Sequence, residues 1–237
     1  MDRNEFQNRY IKARRAAIAL DFKHLNDAQR EAVMLTQGPV LILAGAGSGK
    51  TTVLVNRIAN LLKYGSGSDS EYVPENASED DLLFLENYVR GEDHCENDRL
   101  RELCAVSAAQ PWRIIAITFT NKAAGEMKQR LERMLGPGSE DVWAMTFHSA
   151  CARILRRDID RLGYEKSFTI YDSSDSASLM KRILKDFGIE ERSLPHKSVL
   201  ANISRAKDAM ISADEYIASA EKSYDARRKM IGAAYLE

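Results

Sequence analysis

A glycine-rich run from Ala44 to Thr51 constrains this chain more than any other feature of its sequence. The run reads Ala-Gly-Ala-Gly-Ser-Gly-Lys-Thr, and four apolar residues, Val40–Leu43, come directly before it. Such a short apolar run ahead of a glycine-rich turn predicts a strand buried on both faces of a parallel sheet. Apolar residues at helical spacing from Thr51 to Tyr64 predict that a helix begins where the run ends.

The order strand, glycine-rich turn, helix is the context of a phosphate-binding loop. Glycines let successive backbone N–H groups turn onto phosphate oxygens, and the helix N-terminus adds its positive dipole end. We expect Lys50 to reach the β- and γ-phosphates of ATP and the Thr51 hydroxyl to bind Mg²⁺, so catalysis would depend on both. The predicted nucleotide contacts in this loop are Ala44, Gly45, Ala46, Gly47, Ser48, Gly49, Lys50, Thr51 and Thr52.

Ala44 departs from the strict form of this loop, which has glycine six positions before the lysine. Alanine is tolerated there as long as its backbone keeps a negative φ. The alternative is a glycine-rich strand-to-helix turn that binds no ligand. The matching glycines, lysine and threonine, in the right order after an apolar run, favour the phosphate loop.

The chain alternates apolar runs with helical segments up to about residue 157, and is helical after it. The predicted strands are 40–43, 113–118 and 142–146, with at most a short one at 168–171. The predicted helices are 3–20, 25–35 (with Asn26 as N-cap), 51–64, 121–135, 148–157, 176–187, 197–210 and from 213 to the end. The alternation predicts an α/β domain over residues 1–156, a parallel sheet flanked by helices, and a second, mainly helical subdomain over 157–237.

An acidic segment hides a basic body. The 237 residues carry 34 Lys/Arg and 35 Asp/Glu, a net charge of −1. Residues 65–110 hold 12 acidic and 3 basic residues, a charge of 3 − 12 = −9, which leaves 31 − 23 = +8 for the rest. A basic body suits a polyanionic partner. The segment is predicted to be a surface insertion with a mobile start and short helices at 82–89 and 100–106; a specificity element, a partner site and a disordered spacer all remain open.

The cysteines and the hydropathy indicate a cytoplasmic protein. The chain has three cysteines, Cys95, Cys104 and Cys151, and neither a long apolar run nor an N-terminal signal region. A metal site at His94, Cys95 and Cys104 lacks Cys-x₂-Cys spacing and a fourth ligand, so free thiols are the preferred interpretation. We expect no membrane partner.

Three further segments resemble motifs of the UvrD/PcrA/Rep-type superfamily 1 DNA helicases. Leu25–Val33 resembles their Q motif, and Ile117–Met127, which contains Asn-Lys-Ala-Ala, resembles motif Ia. Thr146–Ser149 with Arg153–Arg156 is similar to motif Ib. The resemblance covers residues 22–64 and 112–237. It implies that the first domain is RecA-like and that the parent is an ATP-dependent DNA helicase of DNA repair, translocating 3′ to 5′ on single strands.

The resemblance also implies roles for single residues. Gln29 would read the adenine edge, because an amide can donate and accept at once. Phe119, Thr120 and Asn121, together with Thr146 and His148, would contact single-stranded DNA near a duplex junction. An aromatic ring beside hydroxyl and amide groups suits base stacking and backbone contacts. Plain core packing for Phe119, and a satisfied histidine at a helix N-terminus for His148, are the alternatives. A monomer is expected.

The Asp-Glu-x-Gln-Asp motif that completes such a site is missing from the sequence. Asp214-Glu215 lacks the Gln-Asp that should follow, and the apolar run ending in Asp172 is too short. The chain ends at Glu237 inside an apparent helix, so we expect the parent to continue and this chain alone to be inactive. A helicase subunit of the AddA/RecB kind and a non-catalytic DNA-binding module stay open, whereas residues 121–124 argue against an unrelated phosphate-loop ATPase.

Overall fold

The computed structural model describes residues 2–45, 47–92 and 97–237, and the chain divides into two compact units, Met1–Arg161 and Leu162–Glu237. The first unit contains α1 (Arg3–Asp21), α2 (Asp27–Met34), α3 (Lys50–Lys63), α4 (Glu79–Arg90), α5 (Asn97–Cys104), β1 (Ile115–Thr118), α6 (Asn121–Leu135), β2 (Trp143–Thr146) and α7 (Phe147–Asp158). The second contains α8 (Ser173–Asp186), α9 (His196–Asp208), α10 (Ala213–Glu221) and α11 (Ala226–Leu236). Within the described ranges, none of these helices is long and apolar enough to cross a membrane.

The sheet of the first unit is a parallel pair of strands. β1 and β2 pair in register from Ile115 opposite Trp143 to Thr118 opposite Thr146. One face of the pair packs against α3 and α6 through a core of buried side chains: Val55, Ile58, Leu62, Ala116, Met127, Leu131, Val142 and Ala144. The strands predicted at 113–118 and 142–146 are therefore confirmed in type, in direction and, within two residues, in extent.

The strand predicted at Val40–Leu43 is wrong. This segment has no regular secondary structure, and its side chains are exposed, with Leu41 at 83% and Leu43 at 86%. Strand geometry needs a neighbouring strand to accept and donate backbone hydrogen bonds. In the part of the chain that the structure describes, β1 and β2 pair only with each other. The apolar run therefore has no strand to pair with, and its composition alone does not make it a strand.

The acidic segment, residues 65–110, is folded, and its apolar side chains share a core with α1, α2 and α3. The buried side chains are Tyr10, Ala13, Ala17, Ile18, Phe22, Leu25, Val33, Val53, Tyr64, Leu82, Phe84, Leu85, Leu100 and Cys104. Leu82, Phe84 and Leu85 come from α4, whose N-terminus Ser78 caps in a capping box with Asp81. The two short helices predicted here are confirmed, and a disordered spacer is contradicted for the described residues.

The start of this segment, predicted to be mobile, is held by hydrogen bonds. Arg14 of α1 is fully buried and donates to the carbonyl oxygens of Gly67, Ser70 and Tyr72. Asp69 accepts hydrogen bonds from the backbone N–H groups of residues 36 and 37, at 2.6 and 3.2 Å. A buried guanidinium fixes the backbone whose carbonyl oxygens accept from it, because a charged donor left without acceptors in the interior costs free energy.

The two ends of the acidic segment meet at one place in the first unit. Gly65 and Val106 form a parallel β-bridge, and the Val106 N–H donates to the carbonyl oxygen of Tyr64 at 3.0 Å. The Ala109 N–H donates to the carbonyl oxygen of Leu61, the last turn of α3, at 2.9 Å. A Cβ on Gly65 would lie 2.1 Å from the Val106 oxygen, so only glycine allows this approach.

The second unit is helical and has a separate core. Its buried side chains are Met180, Leu184, Leu194, Val199, Ile203, Ala206, Tyr216, Ile231 and Ala234. The helix predicted from residue 213 to the end is instead two helices, because Asp225 accepts from the N–H groups of Arg227 and Arg228 and so begins α11. Gly232 lets α11 approach α10, since a Cβ there would lie 3.1 Å from Ile217. Residues 168–171 form no strand.

Candidate functional site

The glycine-rich loop turns directly into α3. Gly47 and Gly49 have φ of 76° and 86°, the left-handed region that favours glycine, and Gly49 is the N-cap of α3. No side chain caps this helix. Its first N–H groups and its positive dipole end are therefore left for a ligand or water, which is the electrostatic requirement for binding phosphate. Ala44 does not have a positive φ, so the departure from glycine there causes no backbone strain. Ala46 lies outside the described residues.

Lys50 lies across the loop that precedes it. Its Nζ donates hydrogen bonds to the carbonyl oxygens of Ala44, at 2.8 Å, and Gly45, at 2.7 Å. The Ser48 hydroxyl also donates to the Gly45 oxygen, at 2.8 Å. An ammonium group that is exposed and bonded to neutral carbonyls can exchange them for phosphate oxygens, which are stronger acceptors because they are charged. Thr51 is exposed on the first turn of α3 and Thr52 is half-buried behind it.

Gln29 connects α2 to this loop. Its Nε2 donates to the carbonyl oxygen of Ser48 at 3.0 Å, while its Oε1 accepts from the N–H of Asn26 at 3.2 Å. Asn26 in turn caps α2 by accepting from the Gln29 N–H. The capping box thus fixes the amide against the loop, and a Cβ on Gly49 would lie only 2.8 Å from Nε2. One N–H and one oxygen lone pair of the amide remain for a base edge.

The predicted DNA residues follow two neighbouring parallel strands. Thr118 and Thr146 are register partners, so residues 119–121 and 147–148 leave the same edge of the sheet. Phe119 is 95% exposed, which excludes the core alternative, and Asn121 and His148 are also exposed. Ligand-contacting loops of parallel sheets emerge at this carboxyl edge.

The two threonines in this group have structural roles. The Thr120 hydroxyl accepts from the Ala123 N–H at 3.1 Å and caps α6, and the Thr146 hydroxyl accepts from the Ser149 N–H at 3.2 Å and caps α7. Thr146 is also buried. Both hydroxyls position the helices, and the exposed Phe119 ring is the more available group for a ligand.

Phe147 is a candidate that the sequence reasoning missed. It is 58% exposed. It follows Thr146, and Phe119 follows Thr118, the residue paired with Thr146 in the neighbouring strand. The two aromatic rings therefore leave adjacent strands at the same register. The signal was present in the sequence, because both phenylalanines come immediately after a threonine that ends an apolar run.

The carboxylates that follow apolar runs in the second unit lie at helix N-termini. Asp172 caps α8, and hydrogen bonds from the backbone of Asp175 and from Ser174 hold its pKa below the usual range. Glu215 closes the capping box of α10, and its hydrogen bonds from Ser212 lower its pKa likewise. No group of three or more metal-ligating side chains occurs among the described residues. The considered metal site at His94 and Cys95 lies outside them; Cys104, which is buried, and Cys151, which is exposed, are not in disulfides.

Fold and site together define a helix-rich α/β protein with a small parallel sheet and a glycine-rich loop that opens a helix. The family model for the UvrD/REP helicase N-terminal domain matches residues 25–73 and 97–237. The chain belongs to this family. The two stretches that the model leaves unmatched, 1–24 and 74–96, contain α1 and α4, the helices that pack together in the acidic segment's core.

Several relatives of the chain are named ATP-dependent DNA helicase PcrA. The chain is 41% identical to the protein from Bacillus subtilis (strain 168) over 201 residues, which are 85% of this chain and 22% of that protein. It is 39% identical to the protein from Staphylococcus aureus (strain Mu50) over 187 residues, 79% of this chain and 20% of that one. For Leuconostoc citreum the identity is 36% over 212 residues, 89% and 23%. The chain thus spans about a fifth of the length of these relatives.

Proposed function

We propose that this chain is the N-terminal, ATP-binding part of an ATP-dependent DNA helicase that moves 3′ to 5′ along single strands in DNA repair. The observation that carries this proposal is the position of Gln29 against the loop. An amide suited to an adenine edge, a lysine and an uncapped helix N-terminus meet at one short loop. The matching family and the names of the relatives support the same assignment.

In the proposed complex, the loop holds Mg²⁺-ATP. Lys50 exchanges the carbonyl oxygens of Ala44 and Gly45 for the β- and γ-phosphates, and the N–H groups at the start of α3 bind phosphate oxygens. Thr51 provides its hydroxyl to Mg²⁺, and Gln29 uses its remaining donor and acceptor on the adenine. Residues 44–52 are proposed as the nucleotide contacts, within a RecA-like domain over 1–156 that is followed by a helical accessory subdomain.

The proposed DNA contact is the carboxyl edge of the strand pair. Phe119 exposes almost its whole ring, so a base stacked on it would remove apolar surface from water. Asn121 and His148 extend from the same edge, whereas Thr120 and Thr146 contribute by fixing the two helices. The partner would be single-stranded DNA at a duplex junction, bound by a cytoplasmic monomer.

We also propose that this chain by itself does not turn over ATP. Hydrolysis needs a carboxylate for Mg²⁺ and a group that orients water. The carboxylates that the sequence offers after apolar runs lie at helix N-termini of the second unit: Asp172 and Glu215 take part in capping boxes, and Asp214 is in the first turn of α10.

The test is calorimetric titration of the 237-residue chain with Mg²⁺-ATP, beside Lys50→Ala. Loss of the charge-assisted bonds from Nζ should weaken binding by about 1.5–3 kcal/mol. Lys23→Ala is the matched control, because Lys23 is an exposed lysine of the same unit outside the loop. Equal affinities for the chain and Lys50→Ala would refute the nucleotide site.

Hydrolysis of ATP, measured with and without single-stranded DNA, tests the claim of inactivity separately. We expect no turnover in either condition while binding remains dependent on Lys50. DNA-stimulated turnover that Lys50→Ala abolishes would keep the nucleotide site and overturn the inactivity. Asp172→Asn, Asp214→Asn and Glu215→Gln would then show which carboxylate is used.

A further inference from the structure

The second unit contains a cavity of about 500 Å³ between α9, α10 and α11. Three arginines line it, Arg205 from α9 and Arg227 and Arg228 from α11, together with a single carboxylate, Asp225. The charge of the lining is therefore 3 − 1 = +2. A cavity of this volume is in the range of small-molecule sites, about 300–1,000 Å³.

Neutral partners orient these arginines. Arg227 donates from a terminal nitrogen to the Ser198 hydroxyl at 3.3 Å, and Arg228 donates likewise to the Ser219 hydroxyl at 3.1 Å. The two serines belong to α9 and α10, so the guanidinium groups are held from opposite walls of the cavity. Each guanidinium carries five N–H donors, and a single serine leaves most of them available. Among the ion pairs of the described residues, none includes Arg205, Arg227 or Arg228.

The position of two of these arginines is electrostatically unfavourable for the helix. Arg227 and Arg228 lie in the first turn of α11, where the helix dipole is positive and where cations destabilise. That turn contains no acidic residue. Asp225, the N-cap, accepts from the backbone N–H groups of both arginines and offsets part of this cost. Local choices that oppose the fold in this way tend to occur at functional positions.

We propose that this cavity is a binding site for a phosphate group, held by Arg205, Arg227 and Arg228. A ligand with one carboxylate carries a single negative charge, which one guanidinium neutralises. A doubly charged phosphate matches the net charge of the lining, and its oxygens can accept hydrogen bonds from several guanidinium groups. The bound phosphate would also relieve the repulsion at the first turn of α11. The site lies in the second unit and is independent of Lys50. The phosphate comes either from a free phosphorylated small molecule or from a nucleic-acid backbone.

The test uses inorganic pyrophosphate as the probe and the Lys50→Ala chain as the background, which removes binding at the loop of the first unit. Calorimetry should detect one pyrophosphate site, and adding Arg227→Gln with Arg228→Gln should lower the affinity at least tenfold. Arg205→Gln, which leaves α11 unchanged, should also lower it. Arg192→Gln is the matched control, because Arg192 is an exposed arginine of the same unit outside the cavity.

A gain of affinity provides an independent check. Asp225→Asn keeps an N-cap of equal quality but removes the one negative charge of the lining, so pyrophosphate should bind several-fold more tightly. The proposal is overturned if neither pyrophosphate nor duplex DNA binds, or if the arginine variants bind as tightly as Arg192→Gln. It is also overturned if Asp225→Asn weakens binding while its circular dichroism spectrum is unchanged.

A short DNA duplex, titrated in the same background, identifies the source of the phosphate. Duplex affinity that falls in the double arginine variant, and that falls with added salt, assigns the site to a nucleic-acid backbone. Pyrophosphate binding that depends on the arginines, with a duplex affinity that does not, assigns it to a free phosphorylated molecule. Either result supports a phosphate site.

Discussion

In two regions of the first unit, burial is the opposite of what the composition suggests. Val40–Leu43 is wholly apolar, yet it has no regular structure and its leucines are exposed. Residues 65–110 carry a charge of −9, yet they supply Leu82, Leu85 and Leu100 to the core around α1. Hydropathy thus predicted the wrong environment for residues 40–43, and charge gave a mobile start to a segment that is folded.

The difference shows that a segment is buried by what it can pack or pair with. A strand satisfies its backbone only through neighbours, whereas a helix satisfies its own and needs only an apolar stripe. The helices of the acidic segment bury Leu82, Phe84, Leu85 and Leu100 in a core shared with α1, whereas Leu83 of α4 is exposed. Within the described residues, Val40–Leu43 has no paired strand.

The largest expected difference between the two regions comes from shortening one leucine in each. Leu85→Ala should lower the free energy of unfolding by about 3 kcal/mol, because it opens a cavity at a fully buried position. Leu41→Ala removes the same atoms from an exposed side chain and should change it by less than about 0.5 kcal/mol. Urea unfolding of the first unit measures both. Similar small effects would mean that the acidic segment does not contribute a core.

A smaller effect is expected from the buried arginine that holds the start of the segment. Arg14→Met keeps most of the apolar stem but removes the hydrogen bonds to the carbonyl oxygens of Gly67, Ser70 and Tyr72; the Ser70 oxygen keeps a longer bond from Arg15, at 3.4 Å. The unfolding free energy should fall by about 2 kcal/mol. Arg3→Met, at the exposed start of α1, is the control. An Arg14→Met chain as stable as its control would show that residues 67–72 need no anchor.

The smallest effect concerns the hydroxyl of Tyr10, which donates to the carbonyl oxygen of Leu103 at 3.0 Å. Tyr10→Phe should cost about 1 kcal/mol near neutral pH. Burial, together with the nearby Cys104, raises the pKa of Tyr10 from 10.0 to about 12. Its contribution is therefore complete below pH 10 and is lost as pH rises from 10 towards 12, because the unfolded state releases the proton first.

Unfolding measured at about pH 8 and about pH 11 separates this contribution from that of other groups. The stability difference between the chain and Tyr10→Phe should shrink or reverse at the higher pH, since phenylalanine cannot ionise. A difference that stays constant or grows with pH would mean that folding does not raise the pKa of Tyr10.

Elements with a local end signal were predictable from the sequence. The bounds of α6 follow from the Thr120 cap and from Gly136, and those of α2 from Asn26, because caps are decided by adjacent residues. The break between α10 and α11 was missed, although Asp225 is an ordinary N-cap residue. Strand 40–43 was predicted wrongly because pairing depends on residues distant in sequence.

The candidate site was predictable to the same limit. Asn26 as predicted N-cap placed Gln29 at the start of α2, but only the folded chain shows the capping box and the Gln29 amide against Ser48. Exposure decided between the alternatives for Phe119 and revealed Phe147 beside it, and neither exposure follows from the sequence. The contacts of the loop with ATP and of these rings with DNA stay predictions.

The β-bridge between Gly65 and Val106 has a consequence for how long the acidic segment can be. Backbone hydrogen bonds at this bridge bring the two ends of the segment together, so the ends need not move apart when the chain between them is longer. By loop-closure entropy, each doubling of that length costs only about 0.6 kcal/mol. The family model leaves residues 74–96 unmatched, which lie inside the bridge, and the segment begins at the end of α3 opposite to the glycine-rich loop.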